Sequence, residues 1–172
     1  MIQIKSERSE CELYGNGVHE VTSMLIRSMS REASIELLAR VKMGRLACCH
    51  DGQPYMTPMS FEYEAGCLYG FSTVGRKITW IRVNPQVCVE MEEVASRWAW
   101  STVIVLGRYE ELPKASHEAD RRLAYDLFQR KPMWWEPAYV KTVINDKERP
   151  QEGVFFRIHI AEITGHRATP DS

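Results

Sequence analysis

Apolar and polar residues alternate along several short stretches of the chain, a two-residue period typical of β-strands with one buried face. Asp51-Gly52 and residues 64–66 separate the first three stretches. Asp-Gly tolerates the positive φ angles of a two-residue hairpin turn, so the pattern predicts antiparallel strands joined by tight turns. The predicted strands cover residues 45–50, 53–63, 67–71, 87–94, 98–110 and 154–164.

A different spacing of apolar residues predicts helices between the strands. Leu38 and Val41 belong to an apolar stripe at helical intervals over residues 31–42, which follow Ser30, a residue type that caps helices. Gly44 comes next, at a place suited to the left-handed position that ends a helix. Further helices are predicted over residues 76–83 and 113–131, and a shorter one after residue 137, up to about residue 143.

The order of these elements predicts the fold class. Six strands linked mostly by tight turns, with helices between groups of strands, indicate a mainly β protein: a six-stranded antiparallel barrel with flanking helices. A doubly wound parallel sheet is disfavoured, because strands joined by hairpins provide no crossovers. We expect one domain over residues 30–167, an N-terminal arm of residues 1–29 and a tail of residues 168–172. An apolar patch at residues 21–26 is an edge strand, an arm that wraps a dimer partner, or a loose terminus.

Composition and charge exclude several classes of protein. The net charge of −1 over 172 residues gives no broad basic surface for nucleic acid or an anionic membrane. The longest apolar runs are strand-sized and the first residues lack the apolar core of a signal peptide, so we expect a cytoplasmic protein. The five cysteines form no CxxC pair, and we expect them to be reduced and mostly buried.

The segment of residues 72–77 is the best candidate for a binding site. It leaves a predicted strand with two hydroxyls, Ser72 and Thr73, and presents Arg76 and Lys77 where a helix begins. A helix start offers unpaired backbone N–H groups and the positive end of the helix dipole, so these residues could hold a phosphate. The alternative is a solvated loop with two surface cations.

Two further stretches could contact a flat ligand. Pro54 and Pro58 lie four residues apart in a predicted strand, where they suit an edge whose free polar groups could meet the rim of a planar ring, or simply a protected edge. Trp98 and Trp100 share one face of a later strand, where they could flank a ligand or fill an interface. No spacing in the sequence indicates a nucleophile paired with a base.

Taken in order, these motifs resemble the pyridoxamine 5′-phosphate oxidase-like family of FMN-binding split barrels. The similarity is greatest to the subgroup of nitroimidazole-resistance-like and flavin-nucleotide-binding proteins, and it covers residues 30–167. The matching residues are Gly44-Arg45-Leu46-Ala47, Asp51-Gly52-Gln53-Pro54-Tyr55 with Pro58, Gly75-Arg76-Lys77, Asn84-Pro85-Gln86-Val87, residues 100–107, Phe156-Arg157-Ile158 and Glu162-Ile163-Thr164-Gly165.

The resemblance implies a homodimer that holds FMN in a groove between two split barrels. It assigns the phosphate to the hydroxyl and basic residues after the third strand, and the edge of the isoalloxazine ring to the backbone of the second strand. The partner subunit is expected to supply a strand segment. The implied cofactor-binding residues are Ser72, Thr73, Arg76 and Lys77 for the phosphate, Thr57, Met59 and Ser60 for the ring, and Trp100, Ser101 and Thr102 from the partner subunit.

The expected function is that of an FMN-dependent oxidoreductase acting on a small acceptor, aromatic compounds among them. The alternative is a non-catalytic module that binds flavin, deazaflavin or haem on the same scaffold, with His50 or His159 as the strand-borne haem ligand. Vitamin B6 oxidation is not expected. True pyridoxamine-phosphate oxidases carry a basic and aromatic C-terminal segment, and residues 166–172 of this chain, after Gly165, do not match it. The histidine that nitroimidazole-resistance members carry before the hydroxyl residues is also absent, since Gly70-Phe71 stands there.

Overall fold

The computed structural model describes residues 23–129, 142–144, 147–149 and 153–171. These residues contain nine strands and three helices. The strands are β1 (Met24–Ser28), β2 (Met43–His50), β3 (Gln53–Glu64), β4 (Cys67–Thr73), β5 (Gln86–Ser96), β6 (Ala99–Glu111), β7 (Thr142–Ile144), β8 (Lys147–Arg149) and β9 (Gly153–Pro170). The helices are α1 (Arg31–Arg40), α2 (Arg76–Val83) and α3 (Glu118–Gln129).

Six strands form a closed antiparallel barrel. Their order is β9-β4-β3-β2-β5-β6, and β6 pairs back with β9 to close the ring. This confirms the predicted six-stranded antiparallel barrel with flanking helices. The sheet also holds a seventh strand, because β1 pairs with the C-terminal part of β9. The apolar patch at residues 21–26 is therefore partly an edge strand; residues 1–22 lie outside the described part of the chain.

Two predicted boundaries differ from the structure. β9 continues to Pro170, six residues beyond the expected end, and its polar C-terminal part pairs with β1 and β6. Backbone hydrogen bonds extend a strand regardless of side-chain polarity, so the apolar pattern ended too early. The prediction of a short helix that reaches residue 143 is wrong at the C-terminal end, because Thr142 and Val143 lie in β7. The rest of that expected helix lies outside the described residues, as does the Trp134-Trp135 pair.

Both predicted tight turns are present. Asp51 and Gly52 have φ angles of 49° and 73°, and Ala65 and Gly66 have φ angles of 48° and 81°. Positive φ at two consecutive residues is the geometry of a type I′ hairpin, whose twist matches that of the flanking strands. These two turns join β2 to β3 and β3 to β4.

Gly44 does not have the predicted role. Helix α1 ends at Arg40, and the residue after it, Val41, has an extended backbone. Gly44 lies inside β2, where a Cβ atom would stand 2.7 Å from the carbonyl oxygen of Glu90 and 2.8 Å from the Cγ atom of Met91. The glycine is there because β2 and β5 approach closely, so the expectation that it ends the helix is wrong.

Two apolar clusters stabilise the fold. The barrel interior is filled from all six strands, and α1 and α2 cover it with Leu37, Leu38, Ile78 and Ile81, none of which is exposed to solvent. Ser30 caps α1 by accepting a hydrogen bond from the backbone N–H of Ala33, as expected. The second cluster lies on the outer side of β4 and β9, beneath α3; its buried members are Tyr69, Leu112, Ala124, Leu127 and Phe155.

Candidate functional site

Strands β3 and β4 separate from each other partway along their length. They pair only from Phe61↔Gly70 to Glu64↔Cys67. Beyond that point β3 remains paired with β2, while the end of β4 remains paired with β9 as far as Thr73↔Gly153. The separation leaves one edge of residues 53–60 without a neighbouring strand among the described residues. The gap opens directly beside the predicted phosphate segment.

Residues 72–77 form the other side of this gap. Ser72 is the last β4 residue whose side chain faces the barrel, and it is 4% exposed. Its hydroxyl donates a hydrogen bond to the carbonyl oxygen of Thr73 at 3.0 Å. Gly75 precedes α2 with an extended backbone and provides no side-chain cap, and the first turn of α2 carries no acidic residue. The N-terminal N–H groups of α2 therefore stay available to an anion.

The two cations of this segment are held differently. The Arg76 guanidinium carbon lies 5.6 Å from the centre of the Tyr55 ring and 6.0 Å from that of Trp80, so both aromatic rings position an otherwise exposed side chain. Lys77 is half-buried, and burial lowers the pKa of its ammonium group, while the nearby Cys48 thiol acts in the opposite direction. Within the described residues, no carboxylate forms an ion pair with Arg76 or Lys77. A partly desolvated cation without a counter-ion favours an anionic ligand.

Helix α2 is fixed to the barrel by both of its ends. Ile78 and Ile81 enter the core, Trp80 makes an edge contact with the Tyr55 ring at 5.8 Å, and the side-chain amide of Asn84 donates to the carbonyl of Cys49 at 3.0 Å. The start of the helix thus has a defined place beside β3. Sequence reasoning missed Tyr55 and Trp80 as supports of Arg76; their signal was the position of Trp80 four residues after Arg76, one helical turn away.

The unpaired edge of β3 presents backbone groups to the gap. The N–H of Phe61 donates to the carbonyl of Lys42 on the side of β2, so the backbone groups of Ser60, one residue earlier, point to the opposite side. Pro58 shares that orientation and offers only a carbonyl. The side chains of Thr57 and Met59 face the barrel, where Met59 is 7% exposed. Of the three ring-contacting residues predicted on β3, Ser60 has the backbone orientation that the prediction needs.

The three residues predicted on β6 lie on two faces of that strand. Ser101 is 7% exposed on the core side and its hydroxyl accepts a hydrogen bond from Arg167 at 3.1 Å. Trp100 and Thr102 are on the outer face, where the Thr102 hydroxyl donates to a carboxylate oxygen of Glu90 at 3.1 Å. Their assignment to the cofactor site stays a prediction.

The residues on β6 are far from the phosphate segment within one protomer. β9 pairs with both β4 and β6, so the positions of the two groups can be compared along it. Ser72 is opposite Val154, and Thr102 is opposite His166. The twelve residue-to-residue steps from 154 to 166 follow about 40 Å of strand contour at ~3.3 Å per residue. The two groups therefore lie at well-separated positions along β9, and their union in one site through a second copy of the chain stays a prediction.

The sequence profile of the pyridoxamine 5′-phosphate oxidase family matches residues 30–167, which include the barrel, the gap and the phosphate segment. The chain belongs to the pyridoxamine 5′-phosphate oxidase family. The match confirms the resemblance drawn from the ordered motifs. It does not assign an activity, because members of one fold family differ in what their sites do.

Proteins from several bacteria are similar to this chain over most of the family domain. An uncharacterized protein of Rhizobium meliloti (strain 1021) is 40% identical over 146 residues, which cover 84% of this chain and 97% of the relative. A crystal structure of an FAD-binding protein from Mesorhizobium loti is 37% identical, with a TM-score of 0.70, and the match covers 86% of this chain and 99% of that one. A 5-nitroimidazole antibiotic resistance protein from Bacteroides thetaiotaomicron has a TM-score of 0.60 at 19% identity, with coverage of 87% and 93%, and shows the shared fold.

Metal and haem sites need clustered or accessible donor side chains. The described residues contain no group of three or more His, Cys, Asp or Glu side chains arranged to hold a metal ion, and no helix among them is long and apolar enough to cross a membrane. His50 packs edge-on against Trp80, and both ring nitrogens of His159 have partners, Cys67 and Glu110. Haem ligation by His159 would have to break these contacts.

Proposed function

We propose that this chain binds a flavin nucleotide through residues 72–77 and acts as a flavin-dependent oxidoreductase on a small acceptor. The observation that carries the proposal is the uncapped start of α2, with two cations, Arg76 and Lys77, that pair with no carboxylate among the described residues. A phosphate would supply the missing negative charge, and the hydroxyls of Ser72 and Thr73 lie next to it in the chain.

The site suits the FMN portion that FMN and FAD share. The ribityl phosphate would contact Arg76, Lys77 and the first N–H groups of α2, and the polar edge of the ring would meet the backbone of Ser60 in the gap. A bound flavin supplies hydride and electron transfer at its ring, so the protein needs only to bind, orient and shield it. The sequence resemblance favours FMN, and the FAD-binding relative from Mesorhizobium loti makes FAD the second candidate.

The functional unit that we propose is a homodimer. A row of residues crosses the outer face of the barrel in register, from Met56 through Ala47 and Cys88 to Leu106. Met56 is 59% and Leu106 45% exposed, and these two large apolar side chains stand at the two ends of the row, with the smaller Ala47 and Cys88 between them. A second copy on this face would bury the row and bring its own β6 segment to the flavin, as the sequence resemblance implies.

The phosphate role is tested by the double variant Arg76→Ala/Lys77→Ala. The Lys77 contact contributes about 1.5–3 kcal/mol and the exposed Arg76 less, so a combined loss of about 2–4 kcal/mol is expected to raise the dissociation constant for FMN roughly 30- to 1,000-fold. Fluorescence titration of the unliganded protein with FMN and with FAD measures the change. The control, Lys114→Ala/Arg122→Ala, removes two exposed cations elsewhere and is expected to bind normally. Equal affinity in the two double variants would refute the phosphate site.

A further inference from the structure

A cysteine, a histidine and a carboxylate meet on the α3 side of the barrel, away from the proposed flavin site. Cys67 in β4 is directly opposite His159 in β9, and its Sγ atom lies 3.6 Å from Nδ1 of that histidine. The other ring nitrogen, Nε2, lies 2.6 Å from Oε2 of Glu110 in β6. Cys67 and His159 are distant in sequence, so residue spacing could not reveal the pair.

The carboxylate sets the protonation of the histidine. Hydrogen bonds from Arg157, at 2.6 Å, and from His159 lower the pKa of Glu110 to about 2, so this carboxylate is ionised near neutral pH. An ionised carboxylate only accepts, so Nε2 of His159 carries the proton and donates it to Glu110. In the neutral form of this imidazole, Nδ1 has a lone pair directed at the thiol. This is the arrangement of a nucleophile, a base and a group that orients the base.

The resting sulfur is a protonated thiol. Burial raises the pKa of Cys67, Glu110 and Asp120 act in the same direction, and Arg157 acts in the opposite one. A protonated thiol is a weak nucleophile and needs a base at the moment of attack. His159 is in contact for that role, and with a side chain 49% exposed it is open to solvent.

Several charged groups around the cluster are paired with one another, whereas Glu64 in β3, directly opposite Cys67, and Arg108 in β6, directly opposite His159, are exposed. Helix α3 contributes Asp120, which lies 3.0 Å from Arg157, and the residue before this helix, His117, lies 3.3 Å from Oε1 of Glu110. Arg157 is thus shared by two carboxylates and offers no spare cation for an anionic substrate. Cys67 also packs against the apolar cluster beneath α3. The surroundings favour a small, neutral electrophile whose leaving group needs a proton.

We propose that Cys67 is a hydroperoxide-reactive cysteine, with His159 as its general base and Glu110 as the residue that positions His159. The sulfur attacks the terminal oxygen of a hydroperoxide, ROOH, as its proton moves to Nδ1 of His159. An S–O bond forms and the O–O bond breaks; the sulfur loses two electrons and the peroxide gains them. The imidazolium returns its proton to the departing alkoxide, which gives ROH and leaves Cys67 as a sulfenic acid. The step is independent of flavin binding.

The full chain contains its own control. Cys88 is also half-buried, and burial raises its pKa as well, but none of the described histidines contacts it. Because Cys88 lies in the row proposed for the dimer interface, the two thiols are also compared in Met56→Glu/Leu106→Glu, where a partner subunit is not expected to cover it. The protein is treated with hydrogen peroxide while dimedone traps sulfenic acids, and mass spectrometry of peptides gives a rate for each cysteine. General-base catalysis typically contributes a factor of 10²–10⁴, so we expect Cys67 to be labelled at least about tenfold faster than Cys88. Equal rates for the two thiols would overturn the proposal.

Three variants assign the roles of His159 and Glu110. His159→Asn is expected to slow labelling of Cys67 at least about tenfold and to leave Cys88 unchanged, whereas an unchanged Cys67 rate would contradict the base role. Glu110→Gln is expected to shift the pH profile of the Cys67 rate, and Glu110→Asp to restore part of it; a purely structural role would alter neither. If a variant unfolds, Cys88 becomes reactive too, and the ratio of the two thiols in the folded Met56→Glu/Leu106→Glu protein then decides alone.

Discussion

At the scale of single residues, Gly44 and Gly75 show two different uses of a missing side chain. Gly44 is buried between β2 and β5, against the backbone of Glu90 and the side chain of Met91. Gly75 stands before α2, has no heavy atom within 4 Å of an added Cβ, and has a φ of −168°, which any residue adopts. One position is restricted by packing, and the other leaves the helix start open.

The substitution Gly44→Ala is expected to destabilise the barrel. The added methyl group would stand 2.7 Å from a backbone oxygen that cannot move alone, and overpacking of this kind costs about 1–3 kcal/mol. Urea unfolding followed by circular dichroism measures the loss. Gly75→Ala is the matched control, with an expected change below about 0.5 kcal/mol. A Gly44→Ala protein as stable as the control would mean that β2 and β5 are farther apart than described.

The sequence predicted some residue roles and not others. Ser30 as a helix cap and Asp51-Gly52 as a turn were predictable, because each depends only on local backbone chemistry. The role of Gly44 was not, since it depends on Glu90, a residue 46 positions away that the barrel brings into contact. The Cys67–His159 contact was hidden for the same reason.

At the scale of elements, Glu110 joins three parts of the fold. It lies in β6, accepts hydrogen bonds from Arg157 and His159 in β9, and lies close to His117 just before α3. Because its pKa in the folded protein, about 2, is below the ordinary value of 4.5, it stabilises the fold when ionised.

The stability that Glu110 contributes depends on pH in a defined direction. A lowered folded-state pKa gives a contribution that is complete above about pH 4.5 and is lost as the pH falls towards 2. We therefore expect the urea midpoint of Glu110→Gln to be lower than that of the unsubstituted protein at pH 6. At pH 3 the difference between the two midpoints is expected to be smaller. Glu64→Gln, an exposed carboxylate beside a turn, is the control and is expected to change neither. A Glu110→Gln deficit that is equal at both pH values would contradict this account.

The elements themselves were largely predictable. Helix α2 has the predicted bounds, because Asn84-Pro85 ends it by local sterics. The extension of β9 to Pro170 was not predictable, because its pairing with β1 is set by the sheet and not by an apolar pattern in residues 165–170. In the sequence, only Pro54 and Pro58 indicated the gap between β3 and β4, because they remove backbone N–H donors from the unpaired edge.

At the scale of the whole molecule, the two groups of residues assigned to the proposed flavin site lie at well-separated positions along β9. The phosphate segment and the Trp100–Thr102 part of β6 are joined by the length of β9, and the exposed row from Met56 to Leu106 lies on the outer face between them. The homodimer is therefore part of the proposed function and not an addition to it.

Charge on the exposed row tests the dimer. We expect Met56→Glu/Leu106→Glu to be monomeric in sedimentation and to bind flavin at least about tenfold more weakly, because each copy loses its partner's strand although residues 72–77 are intact. Tyr125→Glu, which charges an exposed position on α3, is the control and is expected to leave both properties unchanged. A doubly charged variant that still sediments as a dimer would place the interface elsewhere.

The most direct test of the central claim is the visible absorption spectrum of the purified chain, followed by mass analysis of whatever denaturation releases. The account predicts a yellow protein with flavin absorption bands and one FMN or FAD released per chain, or uptake of one equivalent when the colourless protein is incubated with either nucleotide. A protein that shows no flavin bands, releases no flavin and takes up neither FMN nor FAD would contradict it.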